Sequence, residues 1–149
     1  MNTLYITCGV PGSGKTTWAK EKGGKIISPE AIKTMFYGGQ FVFDESLDDM
    51  IIFITETCLS ACLEKQVRRI IIDGENLSRK QRCRYINMAT DRGYNSIIAY
   101  FPYSQACISR IMNNARGYSN RIWSKVIEKA RYNIDIPEPH ECDIETMEY

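Results

Sequence analysis

The sequence predicts an α/β fold: a mainly parallel, doubly wound sheet of about four to five strands with helices around it. Three observations predict it. Short β-rich runs alternate with helix-period stretches along the chain. One run, Arg69-Ile70-Ile71-Ile72, is apolar without a break, as a buried strand is. Glycine pairs punctuate the junctions, at Gly23-Gly24 and Gly38-Gly39.

Leu4-Tyr5-Ile6-Thr7-Cys8 forms the first strand and stops at Gly9. Helix-forming residues 15–21 follow, and Lys25-Ile26-Ile27 is a second short strand. Ser28 as N-cap and Pro29 at the first helical position open a helix that Gly38-Gly39 ends. From about residue 48 to 64, Ile51, Ile54, Cys58 and Cys62 recur at three and four, predicting a long helix buried along that stripe. Asp73 terminates the third strand. Ser78-Arg79-Lys80-Gln81 has the form of a capping box, and Gly93 suits the other end of that helix. Residues 96–101 are the next strand, and Ser104 is placed to cap a helix whose apolar face is Cys107, Ile108, Ile111 and Met112. A polar stretch over 113–120 precedes a last helix around 124–132. Pro137 and Pro139 mark a loop before a closing strand over 142–147.

At 149 residues the chain is expected to be one domain over 1–149, long enough to bury a core without staples. Hydrophobic residues at 44% and charged residues at 25% argue against disorder. A net charge of +1 excludes an overall electrostatic pull towards nucleic acid or membrane, though not a local basic cleft. None of the six cysteines forms a C-x-x-C pair, and His140 has only Cys142 nearby. That reads as free thiols in a reducing cytosol, with no disulfide-linked partner and no structural zinc. No signal peptide opens the chain, and its most apolar stretch is too short to span a bilayer. The expectation is a cytoplasmic protein (host cytoplasm if viral) without a membrane partner.

Gly9-Val10-Pro11-Gly12-Ser13-Gly14-Lys15-Thr16 fits G-x-x-x-x-G-K-[ST] at every fixed position. It also sits after an apolar strand and opens a helix, the context the motif requires. Its glycines let successive N–H groups, with those of Gly12, Ser13, Gly14 and Thr17 among them, converge on phosphate oxygens at a helix N-terminus. Lys15 is placed to reach the β- and γ-phosphates of ATP or another nucleoside triphosphate, and the Thr16 hydroxyl to ligate Mg2+. Asp73, an acid ending an apolar strand, is the second expected metal ligand. Glu75 and Asn76 just beyond it are candidates for the metal's waters or the acceptor.

Residues 6–21, including Trp18, are similar to the opening of the phage polynucleotide 5′-hydroxyl kinase domain. Three further blocks resemble that family in order: Ser28-Pro29-Glu30-Ala31-Ile32-Lys33, then Ile71-Ile72-Asp73-Gly74-Glu75-Asn76-Leu77-Ser78-Arg79, then the arginine-bearing residues 110–122. The resemblance spans nearly the whole chain. It implies a P-loop kinase fold with a helical, arginine-bearing lid, and transfer of the γ-phosphoryl of an NTP to a DNA or RNA 5′-hydroxyl. It implies Glu30 as general base, Lys33 as acceptor-phosphate ligand, Asn76 at the acceptor, and Arg116 with Arg110 as catalytic lid arginines, Arg116 also touching the nucleotide.

Three departures stand out. Glu30 replaces the family's Asp, and Lys33 replaces its Arg, losing the planar fork. The lid pair is normally four residues apart; counting back from Arg116 gives Met112, and counting forward from Phe101-Pro102 gives a position near Arg110. Arg121 is a third candidate. The Asp-x-Asp-x-Thr motif of the larger phage enzymes' 3′-phosphatase is absent from the sequence, so a kinase without that domain is expected.

Each candidate also has a plainer reading. Glu30 is favoured by the dipole at a helix start, and Lys33 could pair with it across the helix surface. Arg79, Lys80, Arg82 and Arg84 form a basic run that is either a solvated face or a phosphate-backbone contact. Tyr94, Tyr100 and Tyr103 are either packing residues or base-stacking platforms. Two other functions remain open: a small-molecule kinase acting on a nucleoside, antibiotic or sugar nucleotide, and a nucleotide-binding module with little turnover.

Overall fold

β1 (Thr3–Cys8) is the spine of the molecule. In the computed structural model, which describes residues 1–114 and 116–148, it is the middle strand of five. β2 (Lys25–Ile27) is one edge, followed by β3 (Arg69–Ile72), β1, β4 (Asn95–Tyr100) and β5 (Asp143–Thr146), and every neighbouring pair runs parallel. Parallel neighbours need crossovers. These are supplied by α1 (Lys15–Lys22), α2 (Pro29–Met35), α3 (Asp48–Glu64), α4 (Arg79–Thr90), α5 (Gln105–Met112) and α6 (Asn120–Asn133).

The period-two alternation of β1 sorts the layers. Leu4, Ile6 and Cys8 meet Ile70, Ile72 and Ile98 with Leu59 and Leu63 of α3 and Tyr85, Ile86 and Ala89 of α4. Tyr5 points the other way, to Ile71 and Ala19 of α1. A separate cluster joins Val10 of the glycine-rich loop to Cys107 and Ile111 of α5 and Trp123, Ile127 and Ala130 of α6. That third cluster ties the lid region to the phosphate loop.

The predicted elements are present, with several corrections. Helix α3 has the expected bounds, but it buries Ile51, Thr55, Leu59 and Leu63, and Ile54, Cys58 and Cys62 flank that line half-buried. Thr55 is accommodated because its hydroxyl donates to the Ile51 carbonyl at 2.8 Å. Helix α6 begins at Asn120, earlier than expected, because the Ser119 hydroxyl accepts from Ile122 N. Helix α2 stops at Met35, and Gly39 N–H folds back to Thr34 O at 2.9 Å. Ser104 does not cap α5 through its hydroxyl. Met112 is exposed, so the apolar face of α5 rests on Cys107 and Ile111, with Ile108 half-buried against the same cluster.

Within the basic run of α4, Lys80 and Arg84 are exposed, as a solvated face requires, and Arg82 departs from that reading. Arg82 is fully buried and donates to both Glu141 oxygens (2.8 and 2.9 Å) and to the carbonyls of Asn76, Leu77 and Asp135. Arg79 also reaches Glu141, at 2.9 Å, and Arg84 pairs with Glu56. Tyr94 is buried with its hydroxyl donating to Val67 O. Tyr100 packs against the core, and Tyr103 carries the Arg131 guanidinium on its ring. Burial pushes the Glu141 carboxyl up, but hydrogen bonds from Arg82 and Arg79 prevail and hold it below the usual carboxylate range. The stability this carboxylate contributes is therefore present at neutral pH and lost as pH falls through its lowered folded pKa. Glu141→Ala, which strands Arg82 without its counter-ion, is expected to cost about 3–5 kcal/mol and lower Tm by about 10 °C, read by thermal denaturation.

Candidate active site

Four loops leave the carboxyl ends of β1, β2, β3 and β4, where ligands bind in open parallel sheets. The first is the glycine-rich loop. Gly12 has φ +76°, and a Cβ there would lie 2.4 Å from Cys107 O and 2.8 Å from the Ile111 side chain. Only glycine lets the loop sit this close to α5. Gly14 (φ +92°) turns the chain into α1, whose first N–H groups face the loop's concavity. Thr16 and Thr17 stand exposed in that first turn.

Lys15 is buried, and its Nζ donates to Val10 O (2.7 Å) and Ser13 Oγ (3.2 Å) inside the loop. Burial lowers its pKa, and the nearby Glu75 and Asp73 carboxylates oppose the fall. The Thr16 hydroxyl donates to Asp73 Oδ2 at 2.9 Å. Asp73 is buried at the end of β3; that burial raises its carboxyl, Thr16 and Lys15 oppose the rise, and Glu30 adds to it. Thr16 and Asp73 thus bring together a hydroxyl and a carboxylate, the hard oxygen donors that suit Mg2+. Among the described residues no group of three or more His, Cys, Asp or Glu gathers to hold a metal. Mg2+ needs none when substrate phosphates and water complete its shell, and bound here it would neutralise phosphate charge.

The β3 loop is pinned to β1 by contacts the sequence did not announce. The Thr7 hydroxyl donates to Gly74 O (2.7 Å) and accepts from Gly74 N (3.0 Å), while Gly9 N donates to Glu75 O (3.0 Å). Asn76, in the left-handed region at φ +46°, donates its side-chain amide to Thr7 O (2.8 Å) and Ile72 O (3.4 Å). That spends both amide hydrogens on the backbone. Asn76 is therefore a fastener of the loop, and only its Oδ1 is left to face an acceptor. Glu75 is an exposed residue beyond β3; loss of water around its carboxyl raises it, Lys15 opposes, and Glu30 adds to the rise.

Glu30 follows β2 in the first turn of α2, where the Ser28 hydroxyl caps Ala31 N at 3.1 Å. It is exposed and pairs with Arg116 of the lid at 2.5 Å. So Arg116, not Lys33, is the partner of Glu30; Lys33 stands one turn on, acting electrostatically on Asp44. Arg110 donates to Gly12 O at 3.2 Å and lies 3.3 Å from where a Gly14 Cβ would be. The structure thus sets Arg110 against the phosphate loop and Arg116 at the Glu30 side. Arg121, in the first turn of α6, is exposed.

A further group escaped sequence reasoning. Phe41 carries the Arg116 guanidinium 4.7 Å from its ring centre and stacks on Trp123 at 5.5 Å. Phe43 packs on Tyr118 and Trp123, and its N–H donates to the Tyr118 hydroxyl. The loop after α2 is thereby bonded to the lid, and it positions Arg116. A pocket of about 450 Å3 opens there, lined by Glu30, Thr34, Gly39, Gln40, Phe41 and Arg116. The signal that could have found it is the aromatics of 41–43 in a loop together with Tyr118 and Trp123 around the start of α6.

Comparison with known proteins agrees with this geometry. A family profile described as AAA domain matches residues 4–135. No curated protein sequence matches the chain. Among solved structures, a proposed kinase of Chloroflexus aurantiacus superposes with a TM-score of 0.71 at 20% identity, covering 98% of this chain and 87% of that one. The Mycobacterium tuberculosis APS kinase CysC, solved with AMPPNP and APS, gives 0.65 at 13%, covering 99% and 90%. A fungal RNA kinase gives 0.61 at 10%, covering 99% of this chain but 38% of its own. Among the described residues no helix is long and apolar enough to cross a membrane. With the profile covering most of its length, the chain belongs to the AAA domain family AAA_33, and its architecture is that of a P-loop kinase.

Proposed function

We propose that this protein transfers the γ-phosphoryl group of ATP or another NTP to the 5′-hydroxyl of a DNA or RNA strand. The observation that carries the reading is the Glu30 pocket. Its Glu30 carboxylate acts electrostatically on Asp73 and Glu75 at the end of β3, and Glu30, Gly39, Gln40 and Arg116 on its walls are exposed. An open-sided pocket admits the end of a chain, whereas a small-molecule kinase gains most from an enclosed one.

In this reading the loop N–H groups and Lys15 hold the triphosphate, and Glu30 accepts the acceptor's hydroxyl proton. Arg110, at the loop, and Arg116, beside the base, stabilise charge that grows on the transferring phosphoryl. Lys33, one turn beyond Glu30, meets the first internucleotide phosphate as a point charge rather than a fork. Thr16 and Asp73 would hold Mg2+, which would offset the charge of the donor phosphates.

Arg116→Ala is expected to lower kcat at least tenfold, with a smaller change in KM for ATP, because the contact matters most in the transition state. Steady-state kinetics checks it. The reading itself is tested with one oligonucleotide in two forms, a free 5′-hydroxyl and a 5′-phosphate. Label from γ-labelled ATP should enter only the first. Equal labelling of both forms places the acceptor elsewhere on the strand.

A further inference from the structure

A second recess of about 590 Å3 lies at the opposite end of the sheet, lined by Gly23, Gly24, Lys25, Val67, Arg68 and Arg69. Half of these residues are cationic and none is acidic, in a chain whose net charge is only +1. The field here is local. Arg69 donates through one guanidinium nitrogen to Lys22 O (2.8 Å) and Gly23 O (3.3 Å), which fixes its head at the rim. Lys25 and Arg68 are exposed beside it. Gly23 and Gly24 contribute backbone only, and a side chain at Gly23 would meet nothing within 4 Å. Such a shallow, cation-lined recess suits a phosphodiester, which presents charge without an apolar body.

Its place in the fold relates it to the Glu30 pocket. Lys25 opens β2, the edge strand, and pairs with Ile70; Glu30 follows the other end of the same strand. The five residue-to-residue steps from Lys25 to Glu30 span at most about 18 Å. A stacked strand, keeping the duplex rise of about 3.4 Å per nucleotide, covers that with roughly five.

Building on the 5′-hydroxyl reading of the Glu30 pocket, we infer that this recess binds a backbone phosphate of the acceptor strand several nucleotides from the reacting end. The protein then grips its acceptor at two points along the β2 edge, and strands too short to reach the recess lose the second.

The test pairs Lys25→Glu with Arg68→Glu, leaving Arg69 to brace α1. Fluorescence anisotropy follows a labelled 20-nucleotide single strand and a trinucleotide, both carrying a 5′-phosphate, over a salt series. The variant should bind the 20-mer about tenfold more weakly, with a log–log salt slope flatter by about 0.7 for the one phosphate no longer neutralised, and bind the trinucleotide as wild type does. Phosphorylation of a dinucleotide should be unchanged. The milder pair Lys25→Gln and Arg68→Gln should shift the 20-mer in the same direction, which guards against a misfolded variant. Unchanged binding of the 20-mer, or equal loss for both lengths, overturns the inference. If wild type phosphorylates no strand but the length-dependent loss remains, the acceptor reading fails and the recess stands as a strand-binding site. If transfer proceeds and the variant binds the 20-mer normally, the recess alone fails.

Discussion

Lys15→Ala is expected to abolish phosphoryl transfer while the protein stays folded. Its ammonium is the cation inside the phosphate loop, and removing one such donor to developing charge costs about 2.7–4 kcal/mol, or 10²–10³ in rate. The side chain is buried rather than solvent-facing, with Nζ on Val10 O and Ser13 Oγ. Truncation nevertheless removes a charge whose pKa burial already lowers, so little folding energy is lost with it. Thermal denaturation should place Tm within a few degrees of wild type, and turnover within tenfold of wild type would remove this loop from the chemistry.

Glu30→Gln should reduce kcat by about 10² or more, with little change in KM for ATP. Glutamine keeps the shape and a hydrogen bond to Arg116 but cannot take a proton. The Glu30–Arg116 pair is partly exposed, and such pairs contribute about 0–1 kcal/mol, so the melting temperature should scarcely move. Pre-steady-state measurement of the transfer step separates the chemical defect from product release. A kcat within threefold of wild type would move the base elsewhere. Asp44 is poorly suited, because the Tyr37 hydroxyl and Ser46 N–H hold its carboxyl down at about 2. Glu75, raised by its surroundings and close to Lys15, would be the better replacement.

The parts of this site legible in the sequence are those built from contiguous residues. The phosphate loop, Asp73 at a strand end and Glu30 at a helix start each follow from a local pattern. Strand–helix alternation likewise gave the parallel sheet. The buried face of α3 did not follow, because two neighbouring stripes both satisfy helical spacing and the choice between them depends on what the sheet presents. Arg82 reads as one cation in a basic run until Glu141, 59 residues away, comes back over it. The Phe41, Phe43, Tyr118 and Trp123 cluster joins two stretches with no periodicity to link them. Asn76 reads in the sequence as a candidate for the acceptor or the metal's waters, but its backbone duty depends on a positive φ that no pattern encodes.

The central claim is that the acceptor is the hydroxyl end of a nucleic-acid strand. It is tested most directly by incubating the protein with γ-labelled ATP and Mg2+ alongside three acceptors: a 5′-hydroxyl oligonucleotide, a mononucleoside, and none. Thin-layer separation of the products should show label on the oligonucleotide, with kcat/KM well above that for the mononucleoside. Label on the mononucleoside at equal or greater efficiency, or only free phosphate in every lane, would contradict it.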